Sequence, residues 1–150
     1  MRAVVQRVSQ ARVEVDGAIC GEISAGLLVL LGIEQKDTTR DADFLAGKVL
    51  ALRIFADPDG RMNRSVLDVG GGLLVVSQFT LYGDTRKGTR PSFDRAAKPE
   101  QARPLYEYFV DQVKKKCETV ATGVFQSAMS VYLVNDGPVT LICDSARIPE

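Results

Sequence analysis

A run of apolar residues that ends abruptly in polar ones, LLVVSQFTLYGD at 73–84, sets the terms for this chain. Its first half is continuously apolar and partly β-branched, the pattern of a strand covered on both faces. Ser77, Gln78 and Thr80 then interrupt it. A buried hydroxyl or amide without a partner costs about 1–3 kcal/mol, so three such groups at the end of a core strand need an account. On a two-residue period Gln78 and Thr80 share one face, and Ser77 and Phe79 the other. The plain account is a strand end whose polar groups meet solvent or neighbouring backbone. The alternative is a pocket floor, with hydroxyls, an amide and strand-end N–H groups turned toward a ligand.

The rest of the chain supplies a sheet for such a strand. Residues 1–9 read as a strand apolar on both faces, with Arg7 the exception. A guanidinium there either reaches solvent or orients a carbonyl-rich loop. Residues 11–15 alternate cleanly, Asp16-Gly17 is a two-residue hairpin signal, and Ile19, Gly21 and Ile23 continue as the return strand. Residues 27–33 form a second fully apolar run, expected at the centre of the sheet. Leu45, Val49 and Leu52 recur at helical spacing within 37–55, with Asp37, Thr38 or Thr39 as the cap. Residues 65–68 suggest a short edge strand. Gly70-Gly71-Gly72 precedes a strand rather than a helix and lacks a following Lys-Ser/Thr, so it is not a phosphate loop.

Residues 99–117 carry an apolar stripe that predicts a second helix. Pro104 would kink it unless regular structure begins only about there. Lys114, Lys115 and Lys116 fall in its last turn, where cations suit the helix dipole. Two closing strands, 129–134 and 139–143, flank Asn135-Asp136-Gly137-Pro138, whose composition is that of a hairpin turn. Together these elements predict an α+β fold: a curled, largely antiparallel, mixed sheet, barrel-like, with two main helices packed on it. A length of 150 residues fits one domain.

The chain has no histidine. That excludes Ser-His-Asp and Cys-His hydrolases and imidazole-based zinc sites. Any enzyme built here works without the commonest general base. Cys20, Cys117 and Cys143 are odd in number and far apart, which points to core packing and a reducing, cytoplasmic setting rather than to disulfides or a metal. No apolar run approaches the roughly 20 residues of a membrane span. The N-terminus is threaded with Arg2, Arg7 and Arg12, unlike a secretory signal. Formal net charge is zero, so a nucleic-acid partner has to be argued from local patches. One such patch lies in the polar loop 83–93, with Arg86, Lys87 and Arg90. It reads either as a solvated loop or as a phosphate contact beside a pocket.

Two segments now stand together, Ser77-Gln78-Phe79-Thr80 and Asn135-Asp136-Gly137-Pro138-Val139-Thr140. With the opening MRAVVQRV, Leu81-Tyr82-Gly83-Asp84 and Arg90-Pro91-Ser92-Phe93, the chain resembles the D-aminoacyl-tRNA deacylases along its whole length. Gln126-Ser127 departs from the pattern, which has Gly-Ala or a similar small pair there. The resemblance implies a cytosolic homodimer that hydrolyses the ester between a D-amino acid, or glycine, and the 3′-terminal adenosine of tRNA. It implies no cofactor. Residues 77–80 would line the pocket for adenosine and ester. Gly137-Pro138 would carry a cis peptide bond and enter the pocket of the other subunit. Arg7 would orient that loop, and Met129 and Phe125 would lie against the site.

The chemistry suits such residues. Mirror-image substrates have identical atoms, and D-Tyr, D-Phe and D-Asp share no side-chain chemistry. The workable device grips the shared ammonium and ester and blocks the fourth direction at Cα with a rigid wall. A Gly-Pro pair is such a wall: proline fixes φ, and glycine adds no Cβ to obstruct the accepted substrate. A forked guanidinium such as Arg7 can hold its carbonyls. Thr80 is the candidate nucleophile, but no base stands near it in sequence. The better account is assistance by the ribose 2′-hydroxyl, with the N–H groups of Phe79 and Thr80 stabilising the oxyanion. The tRNA contacts would be Arg86, Lys87 and Arg90, with Lys114, Lys115 and Lys116 optional. The rival class is a non-catalytic RNA-binding module that only holds an aminoacyl or nucleotide end. A general esterase is a third reading.

Overall fold

A computed structural model describes residues 1–147. Strand β1 (Arg2–Val15) runs through the apolar segments 1–9 and 11–15 without a break. A tight turn at Asp16 (φ 51°) and Gly17 (φ 77°) sends the chain back as β2 (Ala18–Ile23). Both residues have positive φ, the hairpin geometry that Asp-Gly supplies. Next come β3 (Gly26–Gly32), helix α1 (Thr39–Ala51), the small pair β4 (Phe55–Ala56) and β5 (Met62–Arg64), and β6 (Gly72–Ser77). A 3-10 turn (Phe79–Tyr82), helix α2 (Pro99–Lys114), β7 (Val120–Thr122), β8 (Ser130–Asp144) and a last 3-10 turn (Ser145–Arg147) complete the order.

The main sheet runs β2-β1-β3-β6-β7, and β8 pairs the other edge of β1. The β1 pairings are antiparallel. Those of β3 with β6 and of β6 with β7 are parallel. The ends of the path approach each other closely. A Cβ on Gly21 of β2 would stand 2.3 Å from the Thr122 carbonyl oxygen of β7, so only glycine lets the sheet curl this far. The result is the expected mixed, nearly closed barrel with two helices against it.

The continuous apolar runs of β3 and β6 now have their reason. Leu27, Val29, Leu31, Leu73 and Val75 face the helices, where Leu45, Val49, Phe109 and Val113 meet them. Leu28, Leu74 and Val76 point the other way, into the barrel, against Val8, Val13 and Ile23. Alternation is preserved, but both faces are buried. Helix α1 starts at a reciprocal cap. The Thr38 hydroxyl accepts from the helix and Asp41 Oδ2 accepts from the Thr38 N–H at 2.9 Å.

Several expectations are corrected. Residues 65–68 are not an edge strand. Ser65 and Asp68 bond reciprocally, N–H to carboxylate at 2.8 Å and N–H to hydroxyl at 3.1 Å, and close a turn. Pro104 lies inside α2, which starts at Pro99. The helix tolerates it early, where the missing N–H removes one bond near the open end. Residues 135–138 are not a hairpin turn. The segments on either side do not pair with each other, because both pair with β1 in one direction, Gln6 with Thr140 and Val8 with Asn135. Two steps along β1, 6 to 8, thus oppose five along β8, 135 to 140, and the surplus stands out as a bulge. Asn135 Nδ2 fastens its base, donating to the Arg7 and Val139 carbonyl oxygens at 2.9 Å each.

Candidate active site

Strand β6 ends at Ser77, and the backbone turns at once. The Gln78 N–H donates to the Leu31 carbonyl of β3 at 2.8 Å, after which the 3-10 turn begins. The two-residue alternation expected for 77–80 therefore stops at Ser77. Phe79 and Thr80 are both exposed. Their N–H groups lead the turn and, as its first donors, have no acceptor within it.

Beside this strand end lies a cavity of about 660 Å³. Val76, Ser77, Gln78 and Phe79 form one wall, residues 93–102 a second, and Phe125, Gln126, Ser127, Ala128 and Met129 a third. The second wall is pinned just past the end of β3 through the Ala97 N–H, which donates to the Ile33 carbonyl at 2.9 Å. Phe79 and Phe93 meet edge to face at 5.2 Å, a contact worth about 0.5–1.5 kcal/mol that fixes the rim. The third wall is held from behind, with Phe125 5.8 Å from the Tyr106 ring and the Arg103 guanidinium 5.0 Å above it. The Tyr106 hydroxyl donates to the Val75 carbonyl at 2.8 Å, and burial pushes its pKa up to about 12. It is a tie between α2 and β6, not an acid.

Among the described residues the cavity carries hydroxyls and amides but a single ionisable side chain, Lys98. No carboxylate among the described residues lines it. Gln78 Nε2 donates to Thr80 Oγ1. An amide N–H cannot take a proton from that hydroxyl, so the contact positions Thr80 without activating it.

Of the expected site residues, Ser77, Gln78, Phe79, Phe125 and Met129 converge on the cavity, and Thr80 stands just beyond its rim. Arg7, Gly137 and Pro138 do not line it. They meet elsewhere on the same chain. Arg7 donates to the Ile54 carbonyl at 2.6 Å and the Asp136 carbonyl at 3.1 Å, with the Asp136 carboxylate 3.4 Å away. Gly137-Pro138 is cis, and both residues are exposed. In the loop, Arg86 is clamped on Asp84 at 2.6 Å, and this pairing draws the Asp84 pKa down to about 2. Lys87 and Arg90 are exposed. Sequence reasoning set the 83–93 loop, which ends at Phe93, beside a pocket as one alternative but missed the rest of the second wall, residues 96–102. Pro99 marks where α2 begins, but nothing local says that this end abuts the end of β6.

Gln126 has φ 63°, in the left-handed region where a Cβ crowds the next carbonyl. The small pair expected at 126–127 fits that backbone, and this chain sets glutamine there. Gly123 is just upstream. A Cβ on it would meet Met129 Sδ at 2.6 Å, so its lack of a side chain lets Met129 lie against the wall.

Comparison with known proteins places this geometry. Residues 4–144 match the family described as D-Tyr-tRNA(Tyr) deacylase. A D-aminoacyl-tRNA deacylase of Opitutus terrae is 62% identical over 146 residues, 97% of each chain. That of Koribacter versatilis is 60% identical over 147 residues, 98% of this chain and 99% of the relative. Among solved structures, one called c-Myc DNA unwinding element binding protein superposes with TM-score 0.91 at 41% identity, covering 96% of this chain and 98% of that one. A probable eukaryotic D-amino acid tRNA deacylase shares the fold, with TM-score 0.83 at 18% identity over 95% of this chain and 98% of that one. With a match that spans nearly every described residue and relatives this similar from end to end, the chain belongs to the D-Tyr-tRNA(Tyr) deacylase family.

Proposed function

We propose that this protein hydrolyses the ester joining a D-amino acid, or glycine, to the 3′-terminal adenosine of tRNA, in the cytoplasm, and refuses L-aminoacyl-tRNA. The observation that carries the reading is a polar-floored cavity with no carboxylate or histidine among the described residues that line it, opening at the Ser77-Gln78-Phe79 strand end of a chain in this family. An aminoacyl ester is already activated, so positioning and oxyanion stabilisation suffice where a stronger bond would need a base. The Phe79 and Thr80 N–H groups are the oxyanion donors. The ribose 2′-hydroxyl, next to the ester, helps to activate water. Thr80 positions the substrate.

Chirality is read by the Gly137-Pro138 corner of a second copy. Within one chain this corner does not line the cavity, yet it is exposed and braced by Arg7. A homodimer that brings it to the neighbouring cavity completes the wall. The outer edge of β8, with Tyr132, Val134 and Ile142 exposed, is apolar enough to support such pairing. Arg86, Lys87 and Arg90 serve as backbone contacts for the tRNA.

The test is deacylation of D-Tyr-tRNA and L-Tyr-tRNA side by side. Release from the D substrate alone supports the proposal, and loss of both marks a general esterase. One observation favours a second reading. The 41% identical structure is named for binding a DNA element, which fits a module that holds a nucleic-acid end without chemistry. Stable binding of D-Tyr-tRNA with neither ester cleaved would select that reading.

A further inference from the structure

Lys98, exposed to solvent, is the only ionisable side chain lining the cavity among the described residues, and the proposed reaction gives it no role. It stands in none of the ion pairs formed among the described residues. It also caps no backbone group of α2, which begins one residue later at Pro99. A cation without an internal partner at a cavity otherwise built of neutral groups is complementary to an anion brought by the occupant. A neutral adenosine ester carries none of its own, and the ammonium of the aminoacyl group would be repelled. The nearest anion on the proposed substrate is the phosphate that joins the terminal nucleoside to the rest of the strand.

Resting on the deacylase reading, we propose that Lys98 forms a phosphate subsite for the 5′-phosphate of the terminal adenylate. Ser77, Gln78 and Phe79 on the facing wall hold the nucleoside, while Lys98 holds its phosphate as a mobile point charge. Arg86 is less suited to this role, because Asp84 already occupies its fork at 2.6 Å. The subsite adds no sequence reading, since every tRNA presents the same phosphate there. It anchors the 3′ end and leaves the ester free to seat.

Equilibrium binding of adenosine and of adenosine 5′-monophosphate to the full chain tests this. Wild type is expected to bind the monophosphate about tenfold more tightly, as a charge-assisted contact implies. That advantage disappears in Lys98→Ala and returns in Lys98→Arg. A wild type that binds both equally, or binds neither, overturns the subsite, as does an advantage that survives Lys98→Ala. Deacylation of D-Tyr-tRNA by wild type is measured alongside. If it fails while the phosphate advantage stands, the hydrolase reading falls and the subsite remains.

Discussion

At position 126 a glutamine holds a backbone conformation that suits glycine, φ 63°. Relief of that crowding sets an expectation: Gln126→Gly stabilises the fold by about 0.5–1 kcal/mol, read as a rise in the denaturation midpoint at unchanged slope. A fall in the midpoint would mean that the glutamine side chain contributes more than its backbone costs. Thr80 is argued from its donor. Because Gln78 offers it an N–H and no carboxylate among the described residues bonds it, Thr80→Ala is expected to keep deacylation of D-Tyr-tRNA within about tenfold of wild type. A substrate lacking the 2′-hydroxyl should lose far more. Near-complete loss in Thr80→Ala with binding intact would make the threonine a nucleophile. Asp84 gives the pH expectation. Arg86 lowers its folded pKa from 3.8 to about 2, so the clamp is fully present above the ordinary carboxylate value and is lost as pH falls through about 2. An NMR titration of the Asp84 carboxyl carbon reads this directly, and Arg86→Ala should return the midpoint toward 3.8.

Among the elements, β8 does the most unexpected thing, carrying a bulge in mid-strand where its composition spells a turn. Turn residues are chosen for local backbone freedom, and bulges ask for the same residues, so composition cannot separate the two. The decision comes from β1, which is long enough to pair with β8 on both sides of the bulge. Arg7 is the residue of β1 that exploits it. Its guanidinium spans from Ile54 to Asp136 and leaves 15% of the side chain exposed. Arg7→Ala strands a part-buried carbonyl and frees the bulge. The expected cost is about 1–3 kcal/mol of stability, with a larger drop in the preference for D over L substrate than in the rate on glycyl-tRNA. Equal losses on all three substrates would reduce Arg7 to a structural brace.

For the molecule as a whole, the cavity and the Gly137-Pro138 corner are separate features of one chain, and the proposed function requires them to meet. Complementation between copies tests that. Ser77→Phe fills the cavity and Gly137→Val spoils the corner, so each variant alone should deacylate slowly. Mixed and re-equilibrated, half of the dimers pair one intact cavity with one intact corner, and the activity should recover to about a quarter of wild type. A mixture no faster than the average of its parts would place both features of a working site on one chain.

The sequence by itself determined the strands, because burial on both faces writes an unbroken apolar run at 27–33 and 73–76 that no exposed strand can carry. It also determined the Asp16-Gly17 turn, the presence of the two helices though not where they end, the exclusion of histidine chemistry and, through two short motifs, the family. Those are local or compositional properties, legible wherever a residue's neighbours in sequence are also its neighbours in space. Only the tertiary structure decided that residues 135–138 bulge from a continuous strand, that 65–68 close a turn, and that alternation ends at Ser77. It alone set the start of α2, and Lys98 with it, against the end of β6. The 65–68 turn closes locally, between Ser65 and Asp68, but each of the others depends on a partner far along the chain, and the free energy of that pairing is absent from any window of the chain read alone.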